Sequence, residues 1–169
     1  MSKLLKLLPV IICIIFLLAG CKKDADSPSY LRGKIDGVTF ECNSNIHATP
    51  GRSGDKIISV QGAWNIAPSN FIRLLLDGGA SDITEGSYDL QTGKKYQVSL
   101  DLNSRQYDGG YFCPSFVPCS FYGSGKINIL KLSKKYIKGT FEFVVVHDPV
   151  AVPILSKNVT DGEFYIKRS

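Results

Sequence analysis

No apolar run in this 169-residue chain is long enough to cross a bilayer as a helix. The longest covers residues 7–18 and carries Pro9 near its start, whereas a spanning helix needs roughly 20 apolar residues. Beyond residue 29, no window of eleven or more residues repeats apolar side chains at helical spacing, which excludes amphipathic bundles. A block of one charge is missing too. The 20 Lys+Arg and 15 Asp+Glu are scattered, and the only adjacent lysines of the later chain are Lys94-Lys95 and Lys134-Lys135. Without a basic block and interleaved aromatics, nucleic acid is not an expected partner. Catalytic signatures are equally sparse: there are two histidines, no G-x-S-x-G, no C-x2-C pair and no D-x-[DN]-x-[DN]-G loop.

What is present begins at the N-terminus. Lys3 and Lys6 precede the apolar run, and Ala19-Gly20-Cys21 closes it, the order of a basic region, a short apolar core and small residues that marks a secretory signal. Leu18-Ala19-Gly20-Cys21 resembles the lipobox of bacterial lipoproteins. That resemblance implies cleavage after residue 20, acylation of Cys21 and attachment to the membrane through the lipid. Several acyl chains anchor durably, since each buried methylene contributes about 0.8 kcal/mol. Loss of Lys3 and Lys6 with the leader lowers the formal net charge from +5 to +3.

Three segments are therefore expected: a cleaved signal over 1–20, a tether over 21–29 with lipidated Cys21, and a domain over 30–169. The stretch Lys22-Lys-Asp-Ala-Asp-Ser-Pro-Ser29 has no large apolar residue, the composition of a linker. Its charges resemble the sorting signal of surface lipoproteins of Bacteroidetes bacteria, with Ala25 interrupting the acidic pair. Outer-membrane location follows, facing either the cell surface or the periplasm.

The domain is punctuated like a β-protein. Asp36-Gly37 between two short β-prone runs predicts a tight hairpin, and residues 43–55, rich in Asn, Ser, Gly and Pro, read as a loop. Strands are expected over 56–61, 71–76, 96–102, 125–132 and 136–146, and the stretch 159–167 is expected to hold a turn or bulge at Asp161-Gly162 before a final strand over 163–167. Residues 136–146 place Ile137, Phe141, Phe143 and Val145 on one face and Lys138, Thr140 and Glu142 on the other, the period of a half-buried strand. About nine to ten strands with short turns argue for an all-β, antiparallel sandwich or flattened barrel. A closed, lipocalin-like barrel is the alternative.

Several of these segments together carry a family resemblance. They are Gly33-Lys-Ile-Asp-Gly-Val-Thr-Phe40, Ile83-Thr-Glu-Gly-Ser-Tyr88, Gly123-Ser-Gly-Lys-Ile-Asn-Ile129, Ile137-Lys-Gly-Thr-Phe-Glu-Phe143 and Val159-Thr-Asp-Gly-Glu-Phe164. With the lipobox, they resemble an uncharacterised family of small Bacteroidetes lipoproteins. The resemblance implies an exported all-β domain and brings no catalytic or binding residues with it.

Export leaves Cys42, Cys113 and Cys119 in an oxidising compartment, an odd number after Cys13 is removed and Cys21 is acylated. The two prolines and short span of Cys113-Pro-Ser-Phe-Val-Pro-Cys119 favour a local disulfide, worth about 2 to 3 kcal/mol in the chain-entropy view. Cys42 is then a buried thiol, or else the alternative partner of either. The spacing does not suit a zinc site. Neither a metal nor a cofactor is expected.

Binding is the best-supported role. Tyr107, Tyr111, Phe112, Phe116 and Tyr122 lie in a glycine- and proline-rich segment over 103–122, where aromatics form either a stacking platform for a sugar or protein, or plugs for the core. His47, in a polar stretch, and His147, at a strand end, read as structural residues. The sequence points to a monomeric, non-enzymatic module that binds a protein or glycan through 43–55 and 103–122. A carrier of a small apolar ligand and a hydrolase assembled from distant residues are the alternatives.

Overall fold

The computed structural model describes residues 27–51, 54–64, 70–91, 96–112, 120–147 and 155–168. Residues 1–20, expected to be a signal, and Cys21, Cys113, Phe116 and Cys119 lie outside these, and with them the expected lipidation and local disulfide. Among the described residues there is no helix, and none therefore long and apolar enough to cross a membrane.

The strands are β1 (Tyr30–Ile35), β2 (Val38–Glu41), β3 (Ser44–Gly51), β4 (Gly54–Trp64), β5 (Asn70–Asp77) and β6 (Gly86–Asp89), followed by β7 (Gln97–Leu102), β8 (Arg105–Phe112), β9 (Ser120–Tyr122), β10 (Ser124–Leu132), β11 (Tyr136–His147) and β12 (Leu155–Lys167). They form one antiparallel sheet. Nine of them follow a single path, β2-β1-β12-β11-β8-β7-β5-β4-β3, curled into a half-barrel; β10 and β6 branch from β11, and β9 from β8. The all-β antiparallel class is thus what the alternation pointed to.

The path curls because its two end strands are consecutive in the chain. Between β2 and β3 lie only Cys42 and Asn43, and their amides donate in opposite directions: Cys42 N to Leu31 O on β1 (2.9 Å) and Asn43 N to Ala63 O on β4 (3.0 Å). One short corner therefore ties the two edges of the sheet together, so that both flanks bury their inward side chains in a common core. That core runs from Leu31 and Phe40 through Val60, Ile72 and Leu100 to Ile137 and Phe164, in one contiguous cluster.

Local chemistry accounts for the elements. The β1–β2 turn has Asp36 at φ 49° and Gly37 at φ 83°, the paired positive φ of the hairpin turn that suits strand twist. Asp36 also ties the turn to β12: its carboxylate accepts from Asn158 N (2.9 Å) and Lys157 Nζ (2.7 Å). The backbone donor and then the ammonium hold its pKa below the ordinary carboxylate value. A carboxyl depressed on folding contributes stability above its unfolded pKa, about 3.9, and loses it as pH falls through the folded value. Asp36→Asn is therefore expected to lower the thermal midpoint at pH 7 and to converge on the wild type as melts are carried towards pH 3; a gap that stays constant would refute the ionic role.

β12 is a single strand beginning at Leu155, and Asp161-Gly162 is a bulge within it. Gly162 pairs with Phe141 and Val159 with Phe143 across β11, while Arg32 faces Glu163 and Lys34 faces Thr160 across β1. Both neighbours thus lose one residue of register, and Asp161, at φ 52°, is the extra one.

Two expectations are corrected. The stretch 43–55 is not a loop in its described residues: Ser44–Gly51 form β3 and Gly54 begins β4. β3 is the polar end strand of the path, a position that tolerates Pro50 because one of its sides needs no ladder donor. Likewise 103–122 contains the Asn103-Ser104 turn that joins β7 to β8, and then β8 and β9 themselves. Gly109 is there because strands pack closely, since a Cβ on it would lie 2.9 Å from Val98 Cγ2 and 3.1 Å from Val145 Cγ1.

Candidate binding face

The side of the half-barrel wall opposite the core carries the polar chemistry. On β4, β5, β7 and β8, Val60, Ile72, Leu74, Val98, Leu100 and Tyr107 point into the core. By alternation their neighbours face the other way. Register aligns those neighbours into a row: His47 opposes Gln61, Gln61 opposes Arg73, Arg73 opposes Ser99 and Ser99 opposes Asp108. A second row beside it aligns Phe71, Asp101 and Gln106.

These residues form a connected surface at its ends. Gln61 Nε2 lies 2.6 Å from His47 Nε2, and His47 Nδ1 lies 2.9 Å from Asn45 O. Because a carbonyl can only accept, Nδ1 carries the proton and Nε2 takes one from the Gln61 amide. At the far end Gln106 Nε2 donates to Asp108 Oδ1 (3.1 Å). Between them the Arg73 guanidinium sits 5.4 Å from the centre of the half-buried Phe71 ring, within cation–π range. Burial first, and then the negative charge of Asp108, push the Asp101 carboxyl above its ordinary pKa, against the opposing pull of Arg73. Crowding of like charge beside a partly desolvated carboxylate is common where a surface is kept for a ligand.

The remaining residues of interest are placed as follows. Tyr107 is in the core, 5% exposed, with its ring 5.4 Å from that of His147. His147 Nδ1 donates to Gln106 O (2.7 Å). Tyr111 and Phe112 lie on β8 with side chains outside the described residues, and Tyr122 on β9 is half-buried. Among the described residues no three of His, Cys, Asp and Glu gather in a way that holds a metal. Neither histidine ring nitrogen described above meets a carboxylate or hydroxyl. No family model, curated protein or solved structure matches this chain.

Cys42 is a free thiol, 3% exposed, held in the corner between the two edges of the sheet. A Cβ on Gly62 would lie 2.8 Å from its sulfur, so the thiol occupies space that a glycine leaves open. Burial pushes its pKa up to about 12. In native protein at pH 8, Cys42 should react with a thiol reagent about three orders of magnitude more slowly than an ordinary cysteine of pKa about 8.5, and at the ordinary rate in denaturant. Stopped-flow labelling with Cys42→Ser as reference measures both; fast native labelling would place the thiol outside the core.

Sequence reasoning missed Gln61, Arg73, Ser99, Asp101 and Asp108. Each is the polar member of an alternating strand, indistinguishable by pattern from any solvated face residue. Nothing local signals which of these faces lie side by side.

Proposed function

We propose that this chain is a non-enzymatic, lipid-anchored β-domain of the outer membrane that binds a glycan or a partner protein, with the glycan favoured. The observation that carries it is the polar wall. The two segments expected from sequence to bind, 43–55 and 103–122, deliver His47 on one side and Gln106 and Asp108 on the other to the same face, with Gln61, Arg73, Ser99 and Asp101 between. Amides, carboxylates and a guanidinium beside one aromatic ring are the groups that hydrogen-bond hydroxyls and stack on a sugar. The lipobox supplies the anchor, and orientation towards the cell surface or the periplasm follows from sorting.

The contiguous cluster of inward side chains favours a filled interior over the cavity of a carrier. Engagement of the histidines with amide and carbonyl groups favours binding over hydrolysis. The test is a glycan array probed with the mature chain. Retention of at least one glycan class is expected, weakened about tenfold or more by Asp108→Ala or Gln61→Ala, as loss of hydrogen bonds to a polar ligand implies. No retained glycan, or binding indifferent to both substitutions, would overturn the glycan reading.

A further inference from the structure

The end of the half-barrel at which the described chain begins is cationic and aromatic. A surface pocket of about 300 Å³ there is lined by Lys134, Lys135, Tyr136, Tyr165, Lys167 and Arg168. Its floor is the ring pair Tyr165 and Tyr136, 5.1 Å apart, and Tyr30 packs beside it, 6.1 Å from Tyr165. Arg168 is fixed by its ion pair with Asp55 and by donating to Ser133 O (2.9 Å). Lys134, Lys135 and Lys167 are exposed and have no carboxylate partner among the described residues. By contrast, Lys34, Lys126, Lys131 and Lys157 each pair with an acid.

Position decides what this pocket meets. Ser29 Oγ accepts from Lys167 N (3.0 Å), so the chain enters the domain at the pocket itself. From Cys21 to Ser29 the backbone spans at most roughly 28 Å whatever its conformation. An acyl group on Cys21 therefore holds this end of the domain close to a leaflet, while the Asp36-Gly37 turn and Lys157 lie at the other end of β1 and β12.

We propose that Lys134, Lys135 and Lys167, over the Tyr165–Tyr136 floor, dock on phosphate groups of anionic lipids in the leaflet that holds the anchor. The inference rests on the lipid-anchor reading of Cys21. Lysines near an anionic surface are each enriched about fivefold, and the half-buried rings of Tyr30 and Tyr136, backed by the buried Tyr165, suit the interface. A basic patch beside an acyl anchor also supplies a second attachment signal. Docking fixes the domain upright and leaves the polar wall standing away from the lipid.

The test uses the full mature chain reconstituted in phosphatidylcholine vesicles with and without phosphatidylglycerol. A membrane-impermeant amine reagent reads Lys134, Lys135 and Lys167 against Lys157 by peptide mapping. Labelling of the three is expected to slow about fivefold or more in the anionic vesicles and to recover in high salt, with Lys157 unchanged. Equal labelling in both vesicles would overturn the docking, as would protection that is the same in both and indifferent to salt, the mark of a second copy or another protein covering the face. The mass of the N-terminal peptide separates the two readings. If it lacks acyl groups the anchor reading fails, and the docking is then judged by whether the unacylated chain sediments with anionic vesicles and the combined Lys134→Glu, Lys135→Glu, Lys167→Glu chain does not; failure to sediment would sink it.

Discussion

A chain carrying Gly125→Val is expected to melt about 10 °C below the wild type. Gly125 lies in β10 at φ 136°, a conformation that β-branched residues avoid. A Cβ there would overlap the Glu142 carbonyl oxygen and Phe143 Cα of β11, and would lie 2.6 Å from Phe143 Cβ. Backbone atoms of a paired strand cannot rotate away as a side chain can. Strain of about 1–3 kcal/mol and overpacking of about 1–3 kcal/mol then act together, against a total stability of about 5–15 kcal/mol. The same glycine accepts the Leu90 amide (3.0 Å), so distortion reaches the end of β6 as well. Gly79→Ala separates the two causes. Gly79 has φ 65° but nothing within 4 Å of an added Cβ, so only the backbone term applies, about 1 kcal/mol. If Gly125→Val melts no lower than Gly79→Ala, the close approach of β10 to β11 is wrong.

Phe164→Ala should cost about 3–5 kcal/mol, read as a shift in the urea midpoint at unchanged slope. Phe164 is fully buried and stacks on Phe141 at 6.3 Å. Its cross-strand partner on β11 is Gly139, and a Cβ on that glycine would lie 2.5 Å from Phe164 Cζ. The ring thus occupies the space Gly139 leaves empty, a cross-strand device that stabilises glycine in a strand. Truncation opens a void next to a residue with no side chain to collapse into it, which places the cost at the upper end. Phe164→Leu should recover most of the loss, to within about 1.5 kcal/mol. Leu130→Ala, at a side chain 54% exposed, should change stability by less than about 0.5 kcal/mol. A Phe164→Ala chain no less stable than Leu130→Ala would mean that the ring does not fill the core.

How much of this was legible differs by segment. Residues 136–146 were read as a strand with its faces correctly assigned, because Ile137, Phe141, Phe143 and Val145 alternate with polar neighbours and only one face can be buried. Asp36-Gly37 was legible because the turn's positive φ values are met by those two residues whatever surrounds them. β3 was not, since Ser44, Asn45, Pro50 and Gly51 read as turn residues and outweigh Ile46 and Thr49; the segment is a strand because β4 supplies its ladder. β8 was hidden by Gly109 and Gly110, which read as loop residues although Gly109 admits neighbouring strands. The binding face was half legible. The segments holding His47, Gln106 and Asp108 were named, but through their loop-like composition and the aromatics of 107–122, whereas the row itself consists of ordinary outward residues.

By itself, the sequence determined the all-β class, the hairpin at Asp36-Gly37 and the main strands, because each depends on neighbours within a few residues: alternation and turn φ. Only the tertiary structure decided that β2 and β3 tie the two edges of the sheet at Cys42 and Asn43, that His47 and Asp108 share one wall, and that Lys134, Lys135 and Lys167 gather at one pocket beside Ser29. The physical reason is register. Which residue of one strand lies beside which of another is set by long-range pairing that buries one common core, and no local pattern encodes it.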